Sequence, residues 1–114
     1  MLQKRLIISR VKYKDSYVPK IRLSAFWLCQ VGFDIGRDVI LDYKKDYISL
    51  KLANSSNPNT FNITVGSAKT KTTNLAVPHI EVRGIWFNDI GFNIGDTALI
   101  NATHGHIEII PLKP

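Results

Sequence analysis

Val18-Pro19-Lys20-Ile21-Arg22-Leu23 is answered by Val77-Pro78-His79-Ile80-Glu81-Val82, Trp27 by Trp86, and Gly32-Phe33-Asp34-Ile35-Gly36 by Gly91-Phe92-Asn93-Ile94-Gly95, all at an offset of 59 with no gap. The register carries on to Ile48 and Ile107. Proline, tryptophan and paired glycines do not recur at fixed spacing by accident, so the chain reads as two copies of one small unit. Ala53-Asn54-Ser55-Ser56-Asn57-Pro58-Asn59-Thr60 is polar, uncharged and rich in turn formers, and reads as a linker over 53–60. That leaves repeat 1 at residues 1–52 and repeat 2 at 61–114. Neither copy is long enough to bury a sound core alone, so the expectation is one core shared by both.

Within a copy, Leu6 to Tyr13 reads as a strand, with Phe61 to Val65 its period-two counterpart. Pro19 and Pro78 each open a second strand, where a missing N–H is tolerated. Alternation places Ile21 and Leu23 inward and Lys20 and Arg22 outward; in copy two, Ile80 and Val82 point in while His79, Glu81 and Arg83 point out. Ser24 suits the N-cap of a short helix over Ala25–Val31, with Phe26, Trp27 and Val31 packing and Gly32 as C′ residue. Copy two repeats this from Ile85 to Ile90, ending at Gly91. The Gly-Phe-x-Ile-Gly segments predict a sharp turn whose Phe and Ile both enter the core. A hairpin follows, from Asp38-Val39-Ile40-Leu41-Asp42-Tyr43 through a turn at Lys44-Lys45-Asp46 to Tyr47-Ile48-Ser49-Leu50, and copy two turns at His104-Gly105. Each unit is therefore expected to be ββαββ, in a mainly β fold with short helices.

Composition narrows the classes. The 114 residues are 45% hydrophobic, too apolar for a disordered chain. Cys29 is the single cysteine, which excludes an internal disulfide and suits a reducing compartment. No apolar run is long enough to cross a bilayer as a helix, and Met1 to Ile8 lacks a signal-peptide core, so a cytoplasmic location without a membrane partner is the expectation. The net charge is +6, and residues 1–57 hold eleven Lys or Arg against five Asp, whereas residues 58–114 hold four of each sign. A basic excess confined to one copy fits a polyanionic partner; a solvated face that keeps the protein soluble has the same composition.

The run Val-Pro-x-Ile-x-Val-x-Gly-x-Trp-x-x-x-x-Gly-Phe-x-Ile-Gly, in Val77 through Gly95, resembles the motif of the SymE-like toxins of the SpoVT/AbrB swapped-hairpin superfamily and carries it almost completely. Ile63-Thr64-Val65-Gly66 is similar to the first strand of that family. Copy one departs at Ala25, where copy two has Gly84, and at Ile7, aligned with Gly66. The resemblance implies two AbrB-like units interleaved into an intramolecular swapped-hairpin β-barrel, a monomeric pseudo-dimer or a further homodimer of it. It also implies a toxin of a toxin–antitoxin system that acts on DNA or RNA, either by binding or as an endoribonuclease.

Two sets of residues carry those expectations. Lys4, Arg5, Arg10, Lys12, Lys14, Lys20 and Arg22 would form a basic β-surface for a phosphate backbone, with Tyr13 and Tyr17 available for stacking. His79, Glu81 and Arg83 share an outward face in copy two and could serve as base, acid and cation in metal-independent RNA cleavage. Copy one has Lys20, Arg22 and Ser24 in their place, so exposed polar residues on a strand explain the same pattern. His104 and His106 are not completed into a metal set by any Cys or carboxylate, and no cofactor motif is present, so neither metal nor cofactor is expected. Asp34, Asp38 and Asp42 read as solvent-facing, Trp27 and Trp86 as core, and Cys29 as a small apolar filler. A third class of reading is an antitoxin or assembly module whose basic face meets an acidic protein.

Overall fold

A computed structural model describes residues 2–53, 62–69 and 75–112. Copy one contains β1 (Leu2–Ile7), β2 (Ser9–Tyr13), β3 (Ser16–Ser24), α1 (Trp27–Gln30), β4 (Asp38–Lys44) and β5 (Tyr47–Leu52). Copy two contains β6 (Asn62–Thr64), β7 (Gly66–Lys69), β8 (Ala76–Arg83), α2 (Trp86–Asp89), β9 (Thr97–Thr103) and β10 (His106–Leu112). The fold is mainly β, as expected, but each copy has three strands before its helix rather than two. The expected linker lies outside the described residues except for Ala53, whose N–H donates to the Asp38 carbonyl at 3.0 Å.

The strands form two antiparallel sheets, one ordered β1-β9-β10-β5-β4-β6 and the other β2-β3-β8-β7. Both orders read the same from either end once the copies are exchanged. The first strand of each copy pairs with the hairpin of the other: β1 lies on β9, with Leu6 opposite Ala98, and β6 lies on β4, with Ile63 opposite Val39. The centre of each sheet is also a cross-copy pair, β5 with β10 and β3 with β8. Among the described residues these sheets do not close into one barrel, which corrects the barrel expectation. Their inner faces instead feed one buried cluster that joins Ile21, Leu23, Ile80 and Val82 to Leu50, Ile100, Ile107 and Ile109.

The break between the first two strands has a physical cause. Ile8 is fully buried, and its backbone leaves one sheet for the other there. Its carbonyl accepts the Gly95 N–H at 2.8 Å and its own N–H donates to the Asp96 carbonyl at 2.8 Å. Val65 does the same in copy two, accepting from Gly36 at 2.8 Å and donating to Arg37 at 2.9 Å. The structural partner of Ile8 is therefore Val65 and that of Ser9 is Gly66, an offset of 57. The expected match of Ile7 with Gly66 is corrected accordingly. The offset becomes 59 only after the β7–β8 connection: six residues separate the paired Lys69 and Ala76, against four between the matching Lys12 and Tyr17. Gly36 and Gly95, both at φ +93°, supply the left-handed backbone that these turns need.

The short helices differ from expectation in extent. Each has only four residues, and Phe26, not Ser24, occupies the N-cap position, without a side-chain bond. Their ends match expectation: Phe33 N–H reaches the Leu28 carbonyl at 2.8 Å and Gly32 N–H the Cys29 carbonyl at 3.1 Å, the paired bonds of a Schellman stop. Phe33 and Phe92 are fully buried, but Ile35 and Ile94 are 49% and 43% exposed, so only the Phe of each turn fills the core. Phe26 is exposed as well, while Leu28 and its counterpart Phe87 are the buried helix residues. Trp27 and Trp86 are half-buried against the core, with Trp86 stacked on Tyr43 at 4.3 Å.

Phe33→Ala is expected to cost roughly 3–5 kcal/mol of unfolding free energy. Ile35→Ala, which removes three carbons from a half-open turn, stays near about 0.5 kcal/mol. Urea titrations of both variants check the contrast; equal losses would contradict the assignment of the Phe alone to the core.

Candidate nucleic-acid interface

The seven basic residues do not fall on one surface. Cross-strand partners in an antiparallel pair share a face, so register decides the matter. Arg10 lies opposite Pro19 and Lys12 opposite Tyr17, on the face whose continuation along β3 is Ile21 and Leu23. Lys20 lies opposite Ser9 and Arg83, and Arg22 opposite Glu81, on the other face. Lys4 and Arg5 sit on the edge strand β1 of the larger sheet, opposite Ile100 and Leu99, and so on opposite faces of it. The expected single basic β-surface is therefore divided.

What the fold does assemble is a ribbon. β3 pairs with β8 only from Lys20 to Ser24, so the stretch from Arg10 to Pro19 is a two-stranded hairpin extending beyond the sheet. It turns at Lys14, a non-glycine residue held at φ 55°. Arg10, Lys12 and Lys14 are exposed, as are Tyr13 and Tyr17. The Arg10 guanidinium lies 4.4 Å from the Tyr17 ring centroid and the Lys14 ammonium 5.5 Å from that of Tyr13. Such contacts hold long side chains against rigid rings while leaving their charge in water. No salt bridge among the described residues takes up any of these three cations.

His79, Glu81 and Arg83 do share the outer face of β8, joined there by Lys20 and Arg22 from β3. Alternate residues on a strand stand about 7 Å apart, so this set is spread along a line rather than converging on one reacting atom. The Glu81 carboxylate lies 3.8 Å from Lys20 and 3.7 Å from Arg83, long ion pairs at partly exposed positions that contribute little stability. The buried Nδ1 of His79 has no hydrogen-bond partner. The strip carries more cations than anions and suits contact with phosphates better than acid–base chemistry. Among the described residues no three His, Cys, Asp or Glu side chains are grouped to hold a metal ion, and His104 is exposed on its turn.

The centre of the six-stranded sheet carries a polar group that sequence patterns did not single out. Across β5 and β10, Ser49 is buried and 3.1 Å from His106 Nε2, while the Tyr47 hydroxyl donates to Glu108 at 3.2 Å. Burial, with the Glu108 carboxylate beside it, pushes the Tyr47 hydroxyl up from its ordinary range against the effect of Ser49. Alternation alone could have placed these residues outward, but their pairing needs the cross-copy register. Asp34, Asp38 and Asp42 are solvent-facing as expected, with Asp38 accepting from Thr64 at 3.0 Å.

Compared with known protein families, with curated proteins and with solved structures, the chain finds no match. No described helix is long and apolar enough to cross a membrane.

Two outcomes follow from the local geometry. Gly84 has φ +150°, and a Cβ there would collide with Nε1 of the Trp86 indole. Gly84→Ala should cost about 1–3 kcal/mol and perturb the near-ultraviolet dichroism of the Tyr43–Trp86 stack, whereas Ala25→Gly at the matching position of copy one costs no more than about 1 kcal/mol. Cys29 is half-buried, and burial first, then the neighbouring Asp34 carboxylate, pushes its thiol up. Alkylation by iodoacetamide at pH 8 should therefore run slower than for a free cysteine; an equal rate would contradict that environment.

Proposed function

We propose that this chain is a SymE-like pseudo-dimer, with hairpins interleaved within one polypeptide, that binds nucleic acid as a toxin through the β2–β3 ribbon. The observation that carries the reading is the ribbon itself: three exposed, unneutralised cations and two exposed tyrosines on a hairpin extending beyond the sheet. Phosphates are met by such cations without sequence preference, and aromatic rings beside them accept bases. Lys20, Arg22 and Arg83, on the other face of the same sheet, add to the positive potential around it. The cross-copy pairing of β1 with β9 and of β6 with β4 supports the interleaved pseudo-dimer, since each copy completes the other's sheet. Copy two contributes little net charge and serves mainly as scaffold. Cleavage is not part of the reading, because the outer face of β8 spreads its polar groups too widely to converge on one phosphate.

The test is a fluorescence-anisotropy titration of labelled single-stranded and duplex oligonucleotides over a range of salt. Affinity should fall steeply with salt and the nucleic acid stay intact on a gel. Replacing Arg10, Lys12 and Lys14 together with Ala should reduce the logarithmic salt slope on single strands by about 2. Replacing Lys44 and Lys45, at the β4–β5 turn, should leave it unchanged. Salt-insensitive or absent binding would overturn the reading and favour an acidic protein as the partner of the ribbon.

A further inference from the structure

Where the ribbon leaves β8, it walls a groove of about 500 Å3 against the β8–α2 junction. Val11, Val18, Ile85 and Trp86 supply apolar walls, and Lys12, Tyr13 and Arg83 line it with charge and a polar ring. Ile85 is 71% exposed and Tyr13 60%, an unusual concentration of large apolar surface at one concave spot. Gly84 lines the groove too, and its missing Cβ leaves the edge of the indole uncovered. The indole nitrogen stands where a Cβ on residue 84 would have to go, at the wall of the groove. Copy one has Ala25-Phe26-Trp27 at the matching positions, so the opening created by Gly84 belongs to copy two alone.

We infer that this groove receives one unpaired nucleobase, with the flanking phosphates on Lys12 and Arg83, so that the chain selects single-stranded over fully paired nucleic acid. The inference rests on the ribbon reading above and names its substrate class. A base offers two apolar faces and a hydrogen-bonding edge, which matches apolar walls, an indole N–H and a tyrosine hydroxyl. A nucleotide also brings negative charge, which Lys12 and Arg83 complement and which an apolar ligand would leave unanswered. Inside a duplex the base is stacked and paired, and drawing it out costs a few kcal/mol that a single strand does not spend.

The decisive comparison uses the full chain at physiological salt with three labelled oligonucleotides of equal length: a single strand, its blunt duplex, and a phosphodiester strand without bases. The base-bearing strand should bind about tenfold more tightly than either of the others, within the range expected for one stacked base. Ile85→Asp should abolish that preference, while Phe26→Asp, the same charge change at the matching position of copy one, should retain it; circular dichroism establishes that both variants are folded. Equal, salt-steep binding of the baseless strand would overturn the groove assignment and leave the ribbon standing. A duplex bound as well as the single strand would overturn it also. Failure to bind any of the three would overturn both readings.

Discussion

Everything in this molecule depends on four backbone hydrogen bonds made by two buried residues. Ile8 and Val65 each bend from one sheet into the other, and each bonds in both directions to the glycine turn of the opposite copy. A strand that changes sheets leaves a buried N–H and C=O without ladder partners, and such groups are costly unless satisfied. The turn after each helix satisfies them. The same turn inserts Phe33 or Phe92 into the core and begins the hairpin onto which the other copy's first strand pairs. Neither copy can complete its sheets without the other. A second crossed pair of bonds, Gly105 to Val31 and Asp46 to Ile90 at 2.7 Å each, ties each hairpin turn to the end of the other copy's helix.

This symmetry of backbone carries an asymmetry of charge. The two copies share pairing, turns and core, so selection for folding constrains the inward residues of both alike. The outward residues are free to diverge, and they have: copy one places Lys20 and Arg22 where copy two places His79 and Glu81. The ribbon of copy one carries Arg10 and Lys12, whose structural counterparts at the shifted offset are Ser67 and Lys69, and adds Lys14 at its turn. The cations are therefore concentrated in copy one, on both faces of its β2–β3 hairpin, while the rest of the molecule holds them in place. The Gly84–Trp86 junction adds the contribution of copy two, an open aromatic edge beside the basic ribbon.

Much of the fold was legible in the sequence because its strongest signals are local. The helix-ending Gly32 and Gly91, and the alternation of Ile80 and Val82 with His79, Glu81 and Arg83, each report their own backbone or face, whereas Pro19 and Pro78, expected to open their strands, lie inside β3 and β8. What was not legible depends on contacts between copies. The break at Ile8 is invisible in Leu6-Ile7-Ile8-Ser9, since an apolar run reads as one strand until the partner turn that bends it is known. The two-residue shift in offset hides in a connection whose length differs between copies. Ile35 looked as buried as Phe33 because a turn has no periodicity to separate inward from outward positions. For the site, strand alternation correctly joined Arg10 to Lys12 and Lys20 to Arg22. It could not show that pairing of Arg10 with Pro19 and of Ser9 with Lys20 sets the two pairs on opposite faces.

The measurement that tests the account most directly is a two-dimensional amide NMR titration of the isotopically labelled protein with a short single-stranded oligonucleotide at physiological salt. The account predicts shifts confined to the amides of Ser9 through Val18 and of Arg83 through Trp86, with Ser49 through Lys51 at the centre of the larger sheet unmoved. Shifts centred on the Ser49–His106 face, or none at saturating oligonucleotide, would contradict it.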